Sequence, residues 1–92
     1  MKYAVITGVS TGIGLATCEL LIEKGFTVIG TVRRADQGNR MIQDLGSRFI
    51  PATVDVQDIV SIKAAARQVQ NILKGSYLTG LINNAGIALP DL

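Results

Sequence analysis

The stretch Thr7-Gly8-Val9-Ser10-Thr11-Gly12-Ile13-Gly14 lies between a short apolar run, Tyr3-Ala4-Val5-Ile6, and a segment of helix formers from Leu15 to Lys24. The apolar run reads as a buried strand and the following segment as a helix. Strand, glycine turn and helix together make an anion-binding geometry. The glycines let the backbone turn sharply and approach a ligand closely. The helix then begins with N–H groups that have no intrahelical partner and a partial positive charge. Ser10 and Thr11 add hydroxyl donors beside that gap.

The spacing is Gly-x-x-x-Gly-x-Gly. It differs from the Gly-x-Gly-x-x-Gly of the usual dinucleotide fingerprint, and no Lys-Ser/Thr follows as in a P-loop. A glycine cluster alone is equally compatible with a structural turn. The flanking strand and helix favour a binding loop, and so does a second motif, Asn83-Asn84-Ala85-Gly86, far along the chain.

Taken with Asp55-Val56 near the end of a third strand, these two motifs resemble the short-chain dehydrogenase/reductase family in its classical subgroup. The resemblance runs along the whole chain. It implies an α/β fold, a Rossmann-type doubly wound parallel sheet of about four strands in the order 3-2-1-4 with three helices. It implies cofactor contacts from Gly8, Ser10, Thr11, Gly12, Ile13 and Gly14, with Asp55 and Val56 beside the adenine ring. Asn83, Asn84, Ala85 and Gly86 would face the same crevice, outside the carboxyl ends of the strands where strand order reverses.

The rest of the chain fits that alternation. Lys2 to Ile6 reads as strand one, and the first helix runs from about Ile13 to Lys24, closed by Gly25. Phe26 to Val32 is a β-branched strand two. Ala35 to Leu45 is a weaker helix, with Met41, Ile42 and Leu45 on one face and Gly38 inside it. Arg48 to Val54 is strand three, and Pro51 suits a sheet edge. Asp58 is a candidate N-cap for a helix from about Ile59 to Leu73. Its apolar stripe is Ile59, Ile62, Ala66, Val69 and Leu73. Tyr77 to Ile82 is strand four.

The end of strand two decides the cofactor. A carboxylate there receives the ribose hydroxyls of NAD, whereas a guanidinium accommodates the 2′-phosphate of NADP. By the resemblance, Val32 takes the acid's position, and Arg33 and Arg34 follow. A guanidinium forks well onto phosphate oxygens. NADP is therefore expected over NAD, and Arg33→Ala should narrow the gap. The plainer alternative is a pair of solvated loop arginines.

Composition sets limits. Of 92 residues 48% are hydrophobic and 17% charged, more core-type sequence than so short a chain easily hides. No apolar run approaches the length of a membrane span. A net charge of +2 and 4% aromatics give no nucleic-acid platform. With no histidine and one cysteine, neither a zinc site nor a disulfide framework is expected, and Cys18 reads as a small buried hydrophobe. The strand close to the N-terminus leaves no room for a signal peptide, so a cytoplasmic protein is the expectation.

The resemblance also implies chemistry beyond these residues. The family uses a Tyr-x-x-x-Lys pair, an upstream serine and an asparagine. Here Tyr3 is followed four residues later by Thr7, and Tyr77 by Leu81. No catalytic residue is assigned. The expectation is the N-terminal, dinucleotide-binding part of one Rossmann domain, inactive by itself. Strand four would then be an open apolar edge, and one sheet face would be covered by the third helix alone, which predicts self-association. The alternatives are a natural short nucleotide-binding or interaction protein without catalysis, and a parent isomerase or lyase on the same cofactor fold.

Overall fold

The computed structural model describes residues 2–9, 12–55, 57–74 and 78–82. Strands and helices alternate: β1 (Tyr3–Ile6), α1 (Gly12–Glu23), β2 (Thr27–Val32), α2 (Ala35–Leu45), β3 (Phe49–Thr53), α3 (Ile59–Leu73) and β4 (Leu78–Ile82). The strands form one parallel sheet in the order β3-β2-β1-β4. The chain is therefore an α/β protein with a Rossmann-like arrangement. Among the described residues no helix is long and apolar enough to cross a membrane.

Side-chain alternation along the strands sorts the core into two layers. On one face Ile6, Val28, Val32 and Phe49 pack with Val9, with Cys18 of α1 and with Met41 of α2. On the other, Val5, Ile29 and Ala52 pack against Val69, Ile72 and Leu73 of α3. Buried on both faces, β1 and β2 are the apolar runs that a parallel sheet requires.

Local chemistry sets the helix ends. Gly25 and Phe26 donate their N–H groups to Ile22 O and Leu21 O, both at 3.0 Å, satisfying carbonyls at the end of α1. Asp58 caps α3, its carboxylate accepting from Val60 N–H at 3.0 Å. β3 lies at a sheet edge. There Pro51 offers no donor to a further strand, and Gln68 Nε2 donates to the Pro51 carbonyl at 3.3 Å.

Two of the faces expected from periodicity are corrected. In α3 the buried alanine is Ala65 rather than Ala66, and Ile59 and Ile62 are exposed, Ile59 at 63%. The helix packs on the sheet mainly through Val69, Ile72 and Leu73 near its C-terminal end, so the apolar residues of its first turn, Ile59, Val60 and Ile62, stay in solvent. In α2 Met41 is buried and Leu45 packs on the core, while Ile42 is turned about 100° away and exposed.

Candidate functional site

β1 leads directly into the glycine loop. Thr7 N–H donates to Ile82 O at 3.0 Å, so the C-terminal ends of β1 and β4 lie side by side. Gly8 then takes φ 68°, a left-handed conformation that a side chain disfavours. Its N–H donates to Thr31 Oγ1 at 2.8 Å, and Val9 N–H donates to Thr31 O at 3.2 Å. Val9 is fully buried between the loop and β2.

At the far end of the loop Gly12 opens α1 with φ 64°, and a Cβ placed on it would meet nothing within 4 Å. Ile13 is 71% exposed and Gly14 is buried. The first turn of α1 carries no acidic side chain, so its positive end is not neutralised from within the helix. A glycine-lined, open helix start of this kind suits a phosphate.

Beyond β2 the chain forms a cleft of about 420 Å³ lined by Arg33, Arg34, Gln37, Asp55 and Gln57. Val54 N–H donates to Val32 O at 2.9 Å, which carries the pairing of β2 and β3 past their ends and brings Arg33 and Asp55 to one place. The two arginines differ. Arg34 precedes α2 with an extended backbone, its N–H donates to Gln37 Oε1 at 3.1 Å, and its guanidinium grips Asp36 at 3.2 and 3.4 Å. Arg33 makes no ion pair among the described residues. Asp55 is held by the backbone. Its N–H donates to Ser61 Oγ at 2.9 Å, its Oδ1 accepts from Gln57 N–H at 3.0 Å, and its carbonyl accepts from Asp58 N–H at 3.0 Å.

The structure thus joins Arg33, Arg34 and Asp55 in one cleft and sets Gly8, Gly12, Ile13 and Gly14 along one loop and helix start. Ser10, Thr11, Val56, Asn83, Asn84, Ala85 and Gly86 lie outside the described residues. Reading the sequence missed Thr31, Gly30, Gln37 and Gln57. Gln37 could have been found as the third position after a helix N-cap, had Arg34 been taken for one. Nothing local flags Thr31, whose partner is 23 residues away. A larger hollow of about 680 Å³ runs along α3, lined by Ala64, Arg67, Gln68, Asn71, Ile72 and Lys74, with no site candidate among them. Among the described residues no cluster could hold a metal ion.

Residues 2–91 match the sequence model of the family described as short chain dehydrogenase. The NADPH-dependent 3-dehydrocapnine reductase of Ornithobacterium rhinotracheale is 35% identical over 88 residues, 96% of this chain and 31% of that protein. A probable NADP-dependent dehydrogenase of Haemophilus influenzae is 40% identical over 87 residues, 94% of this chain and 33% of that protein. The crystal structure of 3-ketoacyl-(acyl-carrier-protein) reductase from Brucella melitensis complexed with NADH superposes with a TM-score of 0.75 at 20% identity. That match covers 87% of this chain and 32% of the other, and it is a likeness of fold. The chain spans about a third of the length of these proteins, at 31%, 33% and 32%.

Proposed function

Because the chain belongs to the short-chain dehydrogenase family, we propose that it is the NADP(H)-binding part of an oxidoreductase that moves a hydride between a nicotinamide and a carbonyl or alcohol. The observation that carries the choice of NADP is the end of β2. Val32, at the position where a carboxylate would select NAD, is buried in the core, and Arg33 stands in the adjoining cleft without an ion pair among the described residues. The names of the two relatives, NADPH-dependent and NADP-dependent, point the same way.

The residues present fit such a ligand. The open start of α1 at Gly12 suits the pyrophosphate, and the cleft of Arg33, Arg34, Gln37, Asp55 and Gln57 suits the adenosine end with its 2′-phosphate. Asn83, Asn84, Ala85 and Gly86, which follow β4, belong to the crevice in the same reading, and so do Ser10, Thr11, Ile13 and Val56. A bound nicotinamide supplies or accepts the hydride. The chain itself binds and orients, and no Tyr-x-x-x-Lys pair occurs in its sequence to move a proton. Among the described residues β4 pairs with β1 alone, which favours self-association through its other edge.

The test is a calorimetric titration of the chain with 2′,5′-ADP and with 5′-ADP. The 2′-phosphate is expected to tighten binding by about ten-fold, the order of one charge-assisted hydrogen bond. Equal affinities would rule out the preference for NADP, and binding of neither would rule out the dinucleotide site.

A further inference from the structure

We propose that Thr31 is a positioning residue for dinucleotide binding. It clamps the start of the glycine loop to β2, so that one strand end sets both the phosphate loop and the arginine cleft. The inference rests on the dinucleotide reading above.

Thr31 takes two consecutive amides of the loop. Its Oγ1 accepts from Gly8 N–H at 2.8 Å and its carbonyl accepts from Val9 N–H at 3.2 Å. The first of these bonds is part-buried. A threonine suits the task because its branched Cβ restricts χ1 and so holds the hydroxyl in place. The preceding residue completes the clamp. Gly30 leaves room for Val9, whose Cγ2 would stand 2.6 Å from any Cβ at position 30. The loop is thereby fixed at its first two residues, while its other end at Gly12 is open to a ligand.

Position matters as much as bonding. Arg33 lies two residues beyond Thr31, about 7 Å along an extended chain. The three consecutive residues Thr31, Val32 and Arg33, at and just past the end of β2, therefore carry the loop's anchor and the cleft's cation. A dinucleotide bridging the α1 start and the Arg33 cleft needs those two subsites at a constant separation, and displacement of order 1 Å is costly in such a site.

The test uses Thr31→Val and Thr31→Ser in the full chain. Valine keeps the shape, the strand preference and the carbonyl, and removes only the acceptor for Gly8 N–H. Thr31→Val is expected to weaken NADPH and NADH together by about ten-fold, the worth of one hydrogen bond, leaving their ratio unchanged. Thr31→Ser should restore both to within about three-fold of the wild type. Amide hydrogen exchange in the unliganded chain supplies a second reading: Thr31→Val should lose protection at Gly8 and keep it at Val9. An unchanged affinity for a folded Thr31→Val, a change in the NADPH/NADH ratio, no rescue by serine, or a Gly8 amide equally protected in both proteins would each overturn the role of Thr31. A wild-type chain that protects Gly8 yet binds neither dinucleotide would overturn the proposed function, and with it the positioning role.

Discussion

Val9 lies flush against Gly30. A Cβ built on residue 30 would stand 2.6 Å from Val9 Cγ2 and 2.7 Å from Phe49 Cε1, and both side chains are buried. Neither neighbour can withdraw into solvent. Gly30→Ala should therefore overpack the layer between β2 and the glycine loop, at a cost of about 1–3 kcal/mol. Because Val9 is itself part of the loop, the strain also reaches the proposed phosphate site. A lower urea midpoint accompanied by weaker NADPH binding is the expected pair of results. An unaltered midpoint would show that the loop yields freely.

The two arginines should not be equivalent. The guanidinium of Arg34 is already engaged by Asp36 at 3.2 and 3.4 Å, whereas Arg33 has no ion pair among the described residues. Arg33→Ala should reduce the preference for 2′,5′-ADP over 5′-ADP by about ten-fold, the scale of a charge-assisted hydrogen bond to phosphate. Arg34→Ala should reduce it by less, since that variant removes a cation already paired with a carboxylate. Calorimetry on both variants decides the matter. A larger effect at Arg34 would exchange the two roles.

This difference marks how far the sequence alone can be read. The elements themselves were legible: α2 and α3 begin and end where periodicity and turn residues put them, and Asp58 caps as its position before Ile59 suggests. Arg33 and Arg34 follow β2 and Asp55 follows β3 at the same end of the sheet, and one cleft joins them, whereas the sequence offered Asp55 only through the family resemblance. Arg34 and Asp36, however, are two residues apart, a spacing that does not bring side chains together within a helix. They meet because Arg34 precedes α2 with φ −133°. Thr31 and Gly8 meet only through the pairing of β1 with β2. The choice between Ala65 and Ala66 depended on where α3 touches the sheet, which helical periodicity does not contain.

Gly38 shows the same limit and gives a prediction with an unusual sign. A glycine inside a helix costs about 1 kcal/mol relative to alanine, so propensity alone predicts that Gly38→Ala stabilises α2. In the fold a Cβ at residue 38 would lie 2.7 Å from Pro51 Cβ and 3.1 Å from Pro51 Cγ, on a ring that cannot change rotamer freely. The overpacking cost of about 1–3 kcal/mol outweighs the gain in propensity. Gly38→Ala is therefore expected to lower the unfolding midpoint. A higher midpoint would mean that α2 can move off β3 at little cost.

Cys18 gives the chain a pH dependence that can be signed in advance. Its thiol is fully buried beneath α1, and burial, helped by the neighbouring Glu19 charge, pushes its pKa from 9.0 up to about 11. The folded state thus holds this proton more tightly than the unfolded chain does. Below pH 9 the thiol is protonated in both states and its contribution to stability is whole. As pH rises from 9 towards 11 the unfolded chain ionises first, so the folded state loses up to about 2–3 kcal/mol across that window. Urea midpoints of the wild type should fall between pH 8.5 and pH 10.5 more steeply than those of Cys18→Ala, which lacks the titrating group but shares every other one. The alanine variant starts lower, because it leaves a small cavity in the core, and the two curves should converge with rising pH. Parallel curves would show that the thiol ionises without leaving the fold. Alkylation by iodoacetamide provides an independent check: under native conditions it should proceed only as fast as the protein opens, since neither access nor thiolate is available to the reagent in the folded state.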